Sequence, residues 1–269
     1  MKIQEGPAAK VTLWLVAIIG LIIIYAPPLF LLGVSFNPEL QPGLPKLADV
    51  TLRWYLELSE ETRLTNALRE SLFIATWTAL IATALALSAT LAYFELVHTK
   101  TAWFMTVLLP MFVPGVIQGL ALSTVFHQVG ISPSSYTVIA SHLMWAMPFA
   151  FIVILTSFSA VKHHYLLAAA DLGATWRQRF LDVILPLIAP GLVSAFLFSF
   201  LLSLNEFSRA VYLSGAQNTL PVTLFGLMNS GASPTIYAMS GLILLISLLV
   251  GTLVIAFVLF RAAHKPVAK

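Results

Sequence analysis

Six stretches of this chain stay apolar for about the 20 residues that a helix needs to cross a bilayer. That pattern excludes most of what 269 residues can otherwise become. The stretches run roughly from Val11 to Ser35, Ser71 to Phe94, Trp103 to Phe126, Tyr136 to Ala160, Leu187 to Leu213 and Ile236 to Phe260. Backbone groups in hydrocarbon find no water, so each stretch closes its hydrogen bonds internally as a helix. The expected fold is an all-α polytopic membrane protein of six transmembrane helices, residues 1–269 forming one domain. Pro27-Pro28, Pro110 with Pro114-Gly115, and Pro148 interrupt three of the spans, which points to a bundle with an internal cavity. Only 9% of residues are charged, against about 25% in soluble domains. The soluble-enzyme classes are thereby excluded. The first stretch is too long for a signal-peptide core and lacks a small-residue cleavage site after it, so it is read as the first span.

Lys and Arg orient the bundle. With the N-terminus inside, the inner segments hold Lys2, Lys10, Lys100, Lys162, Arg177, Arg179, Arg261, Lys265 and Lys269. The outer ones hold Lys46, Arg53, Arg63 and Arg69, all in loop 36–70 beside six acidic residues. Loops 127–135 and 214–235 carry no charge. The positive-inside rule therefore predicts that both termini are cytoplasmic. The net charge of +3 is spread over segment ends rather than gathered in a patch, so nucleic acid is not an expected partner. The bilayer is. Without cysteine there is neither a disulfide framework nor a thiolate metal site. His163-His164 has no carboxylate at helical spacing and is read as interfacial, so no metal is expected.

The longest charged, amphipathic interval between two apolar stretches runs from Tyr165 to Gly191 and contains Asp171, Arg177, Arg179 and Asp182. Its Ala-rich start favours helix. Gly173 can end that helix in a left-handed conformation, and Thr175 can cap a second one. Pro186 and Pro190 mark the return to the apolar stretch. The expectation is helix, sharp turn, helix, on the cytoplasmic side. Ala168-Ala169, Gly173, nine residues, then Val183-x-Leu185-Pro186 resembles the "EAA" loop of ABC-importer permeases. Leu167 stands where that family has Glu, and Val183 where it has Ile. The resemblance implies the ABC type I importer permease fold, with 161–186 as the coupling loop that docks into a cytoplasmic ATPase. It carries the docking role onto Leu167, Ala168, Ala169, Asp171, Leu172, Gly173, Ala174, Arg177 and Pro186. Read without the resemblance, the same interval is an interfacial amphipathic helix.

Ionisable groups inside a membrane are costly and therefore functional candidates. The fifth span contains Ser203-Leu-Asn-Glu-Phe-Ser-Arg209, which places Glu206 about 24 Å along its helix. His142 on the fourth span and Gln118 on the third fall at a similar depth. Together with Asn205 they are candidates for the substrate path, lining a cavity open to the outside. Each also has a packing role available: a Glu206–Arg209 ion pair, a hydrogen-bonded core His142, a helix-to-helix bond from Gln118.

Asn205-Glu206-Phe207, Ser214-Gly215, Thr219-Leu-Pro-Val222 and Gly231-Ala-Ser-Pro234 resemble the last third of polyamine (spermidine/putrescine) importer permeases. Leu52-Arg-Trp-Tyr55 and Ala170-Asp-Leu-Gly-Ala174 also fit. Asn205 replaces one member of that family's frequent acidic pair. The resemblance implies the membrane subunit of an ATP-driven importer in the bacterial inner membrane, working by alternating access. Its implied partners are two cytoplasmic ATPase subunits, a second homologous permease forming a heterodimer, and a periplasmic solute-binding protein. Permeases for iron(III), aminoethylphosphonate, opines and molybdate share parts of the pattern. No phosphate-binding Gly-x-x-x-x-Gly-Lys-Ser/Thr loop occurs, so no cofactor is expected in this chain, and ATP with Mg belongs to the ATPase. No catalytic triad spacing occurs either, so the chain is not expected to be an enzyme. A secondary transporter or an intramembrane enzyme is the reading from another class, and the coupling loop discriminates against both. Leu52–Tyr55 is expected as an interfacial aromatic helix, and 214–235 as a re-entrant or interfacial helix framed by turns.

Overall fold

The computed structural model describes residues 7–231 and 233–263. Lys2, Lys265 and Lys269 of the orientation argument, and Ala232 of the last polyamine-type motif, lie outside them. Among the described residues, five helices are long and apolar enough to cross a membrane, or six if a pair bent by 93° is one span. The chain divides into two compact units.

The first unit comprises the residues up to Thr62 together with Gly226–Ile246. It contains α1 (Pro7–Val34) and α2 (Arg53–Glu57), and α12 (Pro234–Ala263) begins in it. Pro27 and Pro28 lie inside α1 without ending it. Almost all of α1 is exposed apolar surface, as suits a helix whose solvent is lipid. Beyond its end the chain folds on itself. Trp54 is buried, and its indole Nε1–H donates to the Asn37 carbonyl at 2.6 Å. The Tyr55 hydroxyl meets Ser35 Oγ at 2.7 Å. This corrects the aromatic-belt reading of Leu52–Tyr55, because Trp54 serves as a core residue rather than an interfacial anchor. Its N–H finds a carbonyl inside the protein, and that makes burial tolerable.

The second unit, Arg63–Phe225 with Ser247 onward, carries the bundle. Its elements are α3 (Thr62–Glu95), α4 (Lys100–Leu108), a 3₁₀ turn (Leu109–Phe112), α5 (Gly115–Gln128) and α6 (Ser135–Ser159). Next come α7 (His163–Asp171), α8 (Trp176–Gln178), a π-helical turn (Arg179–Ile184), α9 (Leu185–Leu204) and α10 (Ala210–Leu213). α11 (Leu220–Ser230) begins in this unit, at the place expected for a short apolar helix, and its residues from Gly226 belong to the first.

Proline chemistry explains the 93° bend between α4 and α5. A residue before proline is pushed out of the helical region. Val113 accordingly adopts φ −85°, ψ 128°, and Pro114 caps the next helix. Pro148, by contrast, sits within an unbroken α6. The bent pair must still cross the whole bilayer, because α3 and α6 run parallel. Glu70 accepts from Ser135 at their first ends, and Phe94 stacks on Phe158 at their last, centroids 4.6 Å apart. Two parallel helices require a crossing between them.

The seam of α3 is a stripe of fully buried Ala75, Ala79, Ala82 and Ala86, continued by Thr78 and Thr90. Small side chains let helix backbones approach where lipid supplies no hydrophobic drive. At the Ala86 and Ala89 end of the stripe, the bulkier Phe151 and Ile154 of α6 fill the space. α9 returns antiparallel along α6, and its Gly191 lies so close to Ser157 that an added Cβ would overlap it. The fifth span ends at Leu204 rather than near Leu213. There the Asn205 amide turns back to the Leu201 carbonyl at 2.9 Å, and Glu206 Oε1 accepts from the Arg209 backbone N–H at 3.1 Å.

Candidate functional site

The loop between α6 and α9 folds as a helix, a left-handed turn and a second helix. Gly173 has φ +80°, a value that L side chains rarely adopt. Its N–H bonds the Ala170 carbonyl at 2.8 Å, and the Ala174 N–H bonds the Ala169 carbonyl at 3.0 Å. This is the two-bond Schellman closure of a helix C-terminus. Two residues later Thr175 caps α8, and the Gln178 side chain reaches back to the Thr175 N–H at 2.8 Å. Beneath the loop, Leu166 and Phe180 pack on Phe158, Ile184 and Ile188, so its outer face is held at a fixed height above the bundle. On that face Leu172 is 88% exposed, with Tyr165, Leu167, Trp176 and Leu181 also exposed. Ala168, Asp171, Gly173, Arg177 and Pro186 are exposed as well, whereas Ala169 and Ala174 are half-buried. The loop thus exposes a knob of large apolar side chains interspersed with the charged Asp171 and Arg177.

The second constellation is buried. The side chain of Arg209 is 4% exposed and that of Glu206 10%, and Nη1 meets Oε2 at 2.9 Å. Arg209 Nε–H donates to Gln118 Oε1 at 2.7 Å, and its guanidinium lies 4.8 Å from the centre of the Trp145 ring. The Gln118 amide in turn donates to the Pro110 carbonyl, across the bend of its own span. Arg209 therefore ties the elbow of the third span, the fourth span and the broken end of the fifth into one network. Space is made by glycine: a Cβ on Gly119 would stand 3.0 Å from Arg209 Cα, and one on Gly115 2.9 Å from Arg209 Nη1. His142 lies alongside on α6, its Nδ1 2.7 Å from Ser203 Oγ, while its buried Nε2 has no hydrogen-bond partner among the described residues.

Of the four substrate-path candidates, Gln118 and Glu206 meet through Arg209, and His142 joins α6 to α9 beside them. Asn205 does not join; its amide faces its own helix and is exposed. Gln118 and His142 are both buried, and of the two only Gln118 borders a pocket. The apolar pocket on the inside of the elbow, about 360 Å³, is lined by Leu109, Val113, Ile117 and Met144, and Gln118 is its polar member. The sequence offers Arg209 as an ion-pair partner that cancels the charge of Glu206 or meets an anion, and nothing in it singles out Trp145. The signal for Arg209 was present, since an arginine inside a span needs several partners to be tolerated.

Residues 82–264 match the family described as "Binding-protein-dependent transport system inner membrane component". The putrescine transport system permease protein PotI of Escherichia coli (strain K12) is 32% identical over 245 residues, covering 85% of this chain and 84% of that protein. The spermidine/putrescine transport system permease protein PotC of Haemophilus influenzae is 29% identical over 227 residues, covering 84% and 88%. Among solved structures, a bacterial ABC transporter involved in import of the acidic polysaccharide alginate aligns with a TM-score of 0.71 at 17% identity, over 95% of this chain and 96% of that one. The MetNI methionine ABC transporter, in inward-facing conformations, aligns at 0.64 and 17% identity, over 77% and 99%.

Proposed function

Because this chain belongs to the binding-protein-dependent transport system inner membrane component family, and is the permease subunit of an ABC importer, we propose that its cargo is a polyamine or a related amine. The observation that carries this reading is the cargo named in the relatives that match about 85% of the chain, putrescine and spermidine. The subunit resides in the bacterial inner membrane with both termini in the cytoplasm. A periplasmic solute-binding protein delivers the solute from outside. A second, non-identical permease completes the pathway, and two ATPase subunits with ATP and Mg supply the energy.

The geometry supports a mechanical role. The exposed knob of Leu167, Leu172 and Trp176 docks on the ATPase. Closure of the ATPase dimer pushes the knob, and Leu166 and Phe180 pass the displacement to Phe158 and Ile188. From there α6 and α9 move together, locked by the contact of Gly191 with Ser157. Both helices lead to the Arg209 network at the far end of the span. Coupling follows only if inward-open and outward-open states differ in their contacts with the knob.

One observation favours a second reading of the cargo. Arg209 neutralises Glu206, so the buried cluster offers no net negative charge to an amine. A zwitterion such as an opine or aminoethylphosphonate meets that condition as well. The test is reconstitution of the chain with its co-purifying ATPase, permease and binding protein. Labelled putrescine, spermidine, an opine and aminoethylphosphonate are then offered in turn. ATP-dependent uptake of either polyamine supports the proposal. Uptake of a zwitterion alone replaces it, and purification of the chain without an ATPase refutes the importer mechanism itself.

A further inference from the structure

An amine inside this bundle meets no spare anion on the fifth span. Glu206 is the only carboxylate of that span, and Arg209 already takes it at 2.9 Å. Aromatic faces are the other means of attracting a cation, because a ring carries negative charge on its face and positive charge at its edge. A row of them runs inward from Arg209. The Arg209 guanidinium lies 4.8 Å from the centre of the Trp145 ring, so the first ring of the row already holds a cation. Phe149, one turn along α6, meets Trp145 edge to face, with centroids 4.8 Å apart and planes at 73°. Phe198 of α9 meets Phe149 in the same manner at 5.7 Å and 68°.

The row is open to its surroundings. Phe198 is 41% exposed, and Trp145 and Phe149 are half-buried, whereas Ala146 and Ala195 of the same two helices are fully buried. Asn205 stands seven residues beyond Phe198, two helical turns further out on the same side, and is also exposed. Its amide nitrogen donates to the Leu201 carbonyl, and its side-chain oxygen remains to accept.

We infer that Trp145, Phe149 and Phe198 form a recognition row for the ammonium groups of the cargo, entered past Asn205. This rests on the amine reading of the cargo, and it names the side chains that hold it. Arg209 is the cation at the head of the row, and Glu206 offsets its charge. Attraction to a ring face needs no net negative charge, so the neutral pair is no obstacle. Each ring holds a cation less firmly than a buried carboxylate does. Rings 4.8 and 5.7 Å apart therefore let an ammonium pass from one to the next without trapping it.

The test is ATP-driven uptake of labelled putrescine by the reconstituted complex, with loaded binding protein in excess. Phe149→Leu and Phe198→Leu keep apolar bulk and remove the ring. Each is expected to slow uptake about three- to thirtyfold, the range set by losing one cation–ring contact. Phe198→Trp is expected to match or exceed the parent, because Trp offers the strongest face. Replacing Phe198 by trifluorophenylalanine keeps the shape and weakens the face, and its rate is expected to fall between those of Phe and Leu. Melting temperature and recovery of the ATPase with each variant separate misfolding from lost recognition. Should the Leu variants fail to assemble, the fluorinated ring decides alone. If the Leu variants assemble and transport at the parental rate, the row is packing against lipid and the proposal is wrong while the amine reading stands. If the fluorinated ring transports as Phe does, shape and not the ring face is read, and the proposal is likewise wrong. If the parent complex takes up no amine, the cargo reading falls and this inference falls with it.

Discussion

Arg209 is the most demanding residue in the bundle, and replacing it gives a result with a calculable size. Arg209→Ala deletes the 2.9 Å ion pair with Glu206, the 2.7 Å bond to Gln118 and the stacking on Trp145. Removing one partner of a buried pair strands the other, which destabilises by about 3–5 kcal/mol. At roughly 2 °C per kcal/mol for a chain of this size, melting in detergent falls by about 6–10 °C. Removing both charges behaves differently. Glu206→Gln with Arg209→Met leaves no stranded ion, and Met keeps a contact with Trp145. The double variant is expected within about 2 kcal/mol of the parent, clearly above the single Arg209→Ala. The assay is thermal unfolding of the purified protein followed by intrinsic Trp fluorescence. A single variant that melts within about 2 °C of the parent would refute the network as a structural tie. So would a double variant that melts as low as the single, because coupling between the two charges is what the argument requires.

Gly173→Val forces a β-branched side chain into φ +80°, straining the turn by about 1–2 kcal/mol; ATP-driven uptake is expected to drop sharply while membrane insertion, judged by detergent extraction, is unchanged. Gly191→Ala drives a methyl into Ser157, an overpacking of about 1–3 kcal/mol that adding Ser157→Gly should relieve, both read as melting temperatures. Gly119→Ala meets the Arg209 backbone at 3.0 Å and is expected to lower the melting temperature as well, with no rescue from side-chain changes at 209 because the clash is with main chain. Trp54→Phe leaves the buried Asn37 carbonyl without its donor and should destabilise by about 1–3 kcal/mol in the same assay.

The spans were legible because hydropathy over about 20 residues is a strong, local signal. The Schellman turn at Gly173 and the cap at Thr175 were legible for the same reason, each needing only its neighbours in sequence. Trp54 was misread because the acceptor for its indole is Asn37, 17 residues away, and no local pattern announces that bond. The end of the fifth span was misplaced because Phe207 and the apolar Ala210–Leu213 continue its composition. What breaks the helix there is a set of side-chain bonds made by Asn205 and Glu206. Gln118, His142 and Glu206 could be ranked by depth, since depth is arithmetic on a helix. Their assembly around Arg209 could not, because it depends on which faces the third, fourth and fifth spans turn inward.

The parallel run of α3 and α6 also bears on how this protein is made. Ser71 takes its place early on the ribosome, yet it bonds the Leu220 backbone N–H, which emerges 149 residues later. Adjacent spans that are antiparallel can pair as hairpins while synthesis continues. Here the alanine seam of α3 stays open to lipid or to the insertion machinery until the bent third span has crossed and α6 has followed it. Contacts so distant in sequence are slow to form. The elbow at Val113-Pro114 thus lies on the assembly route, and a variant that straightened it would be expected to stall with α3 unpaired and to be degraded before any transport defect could be measured.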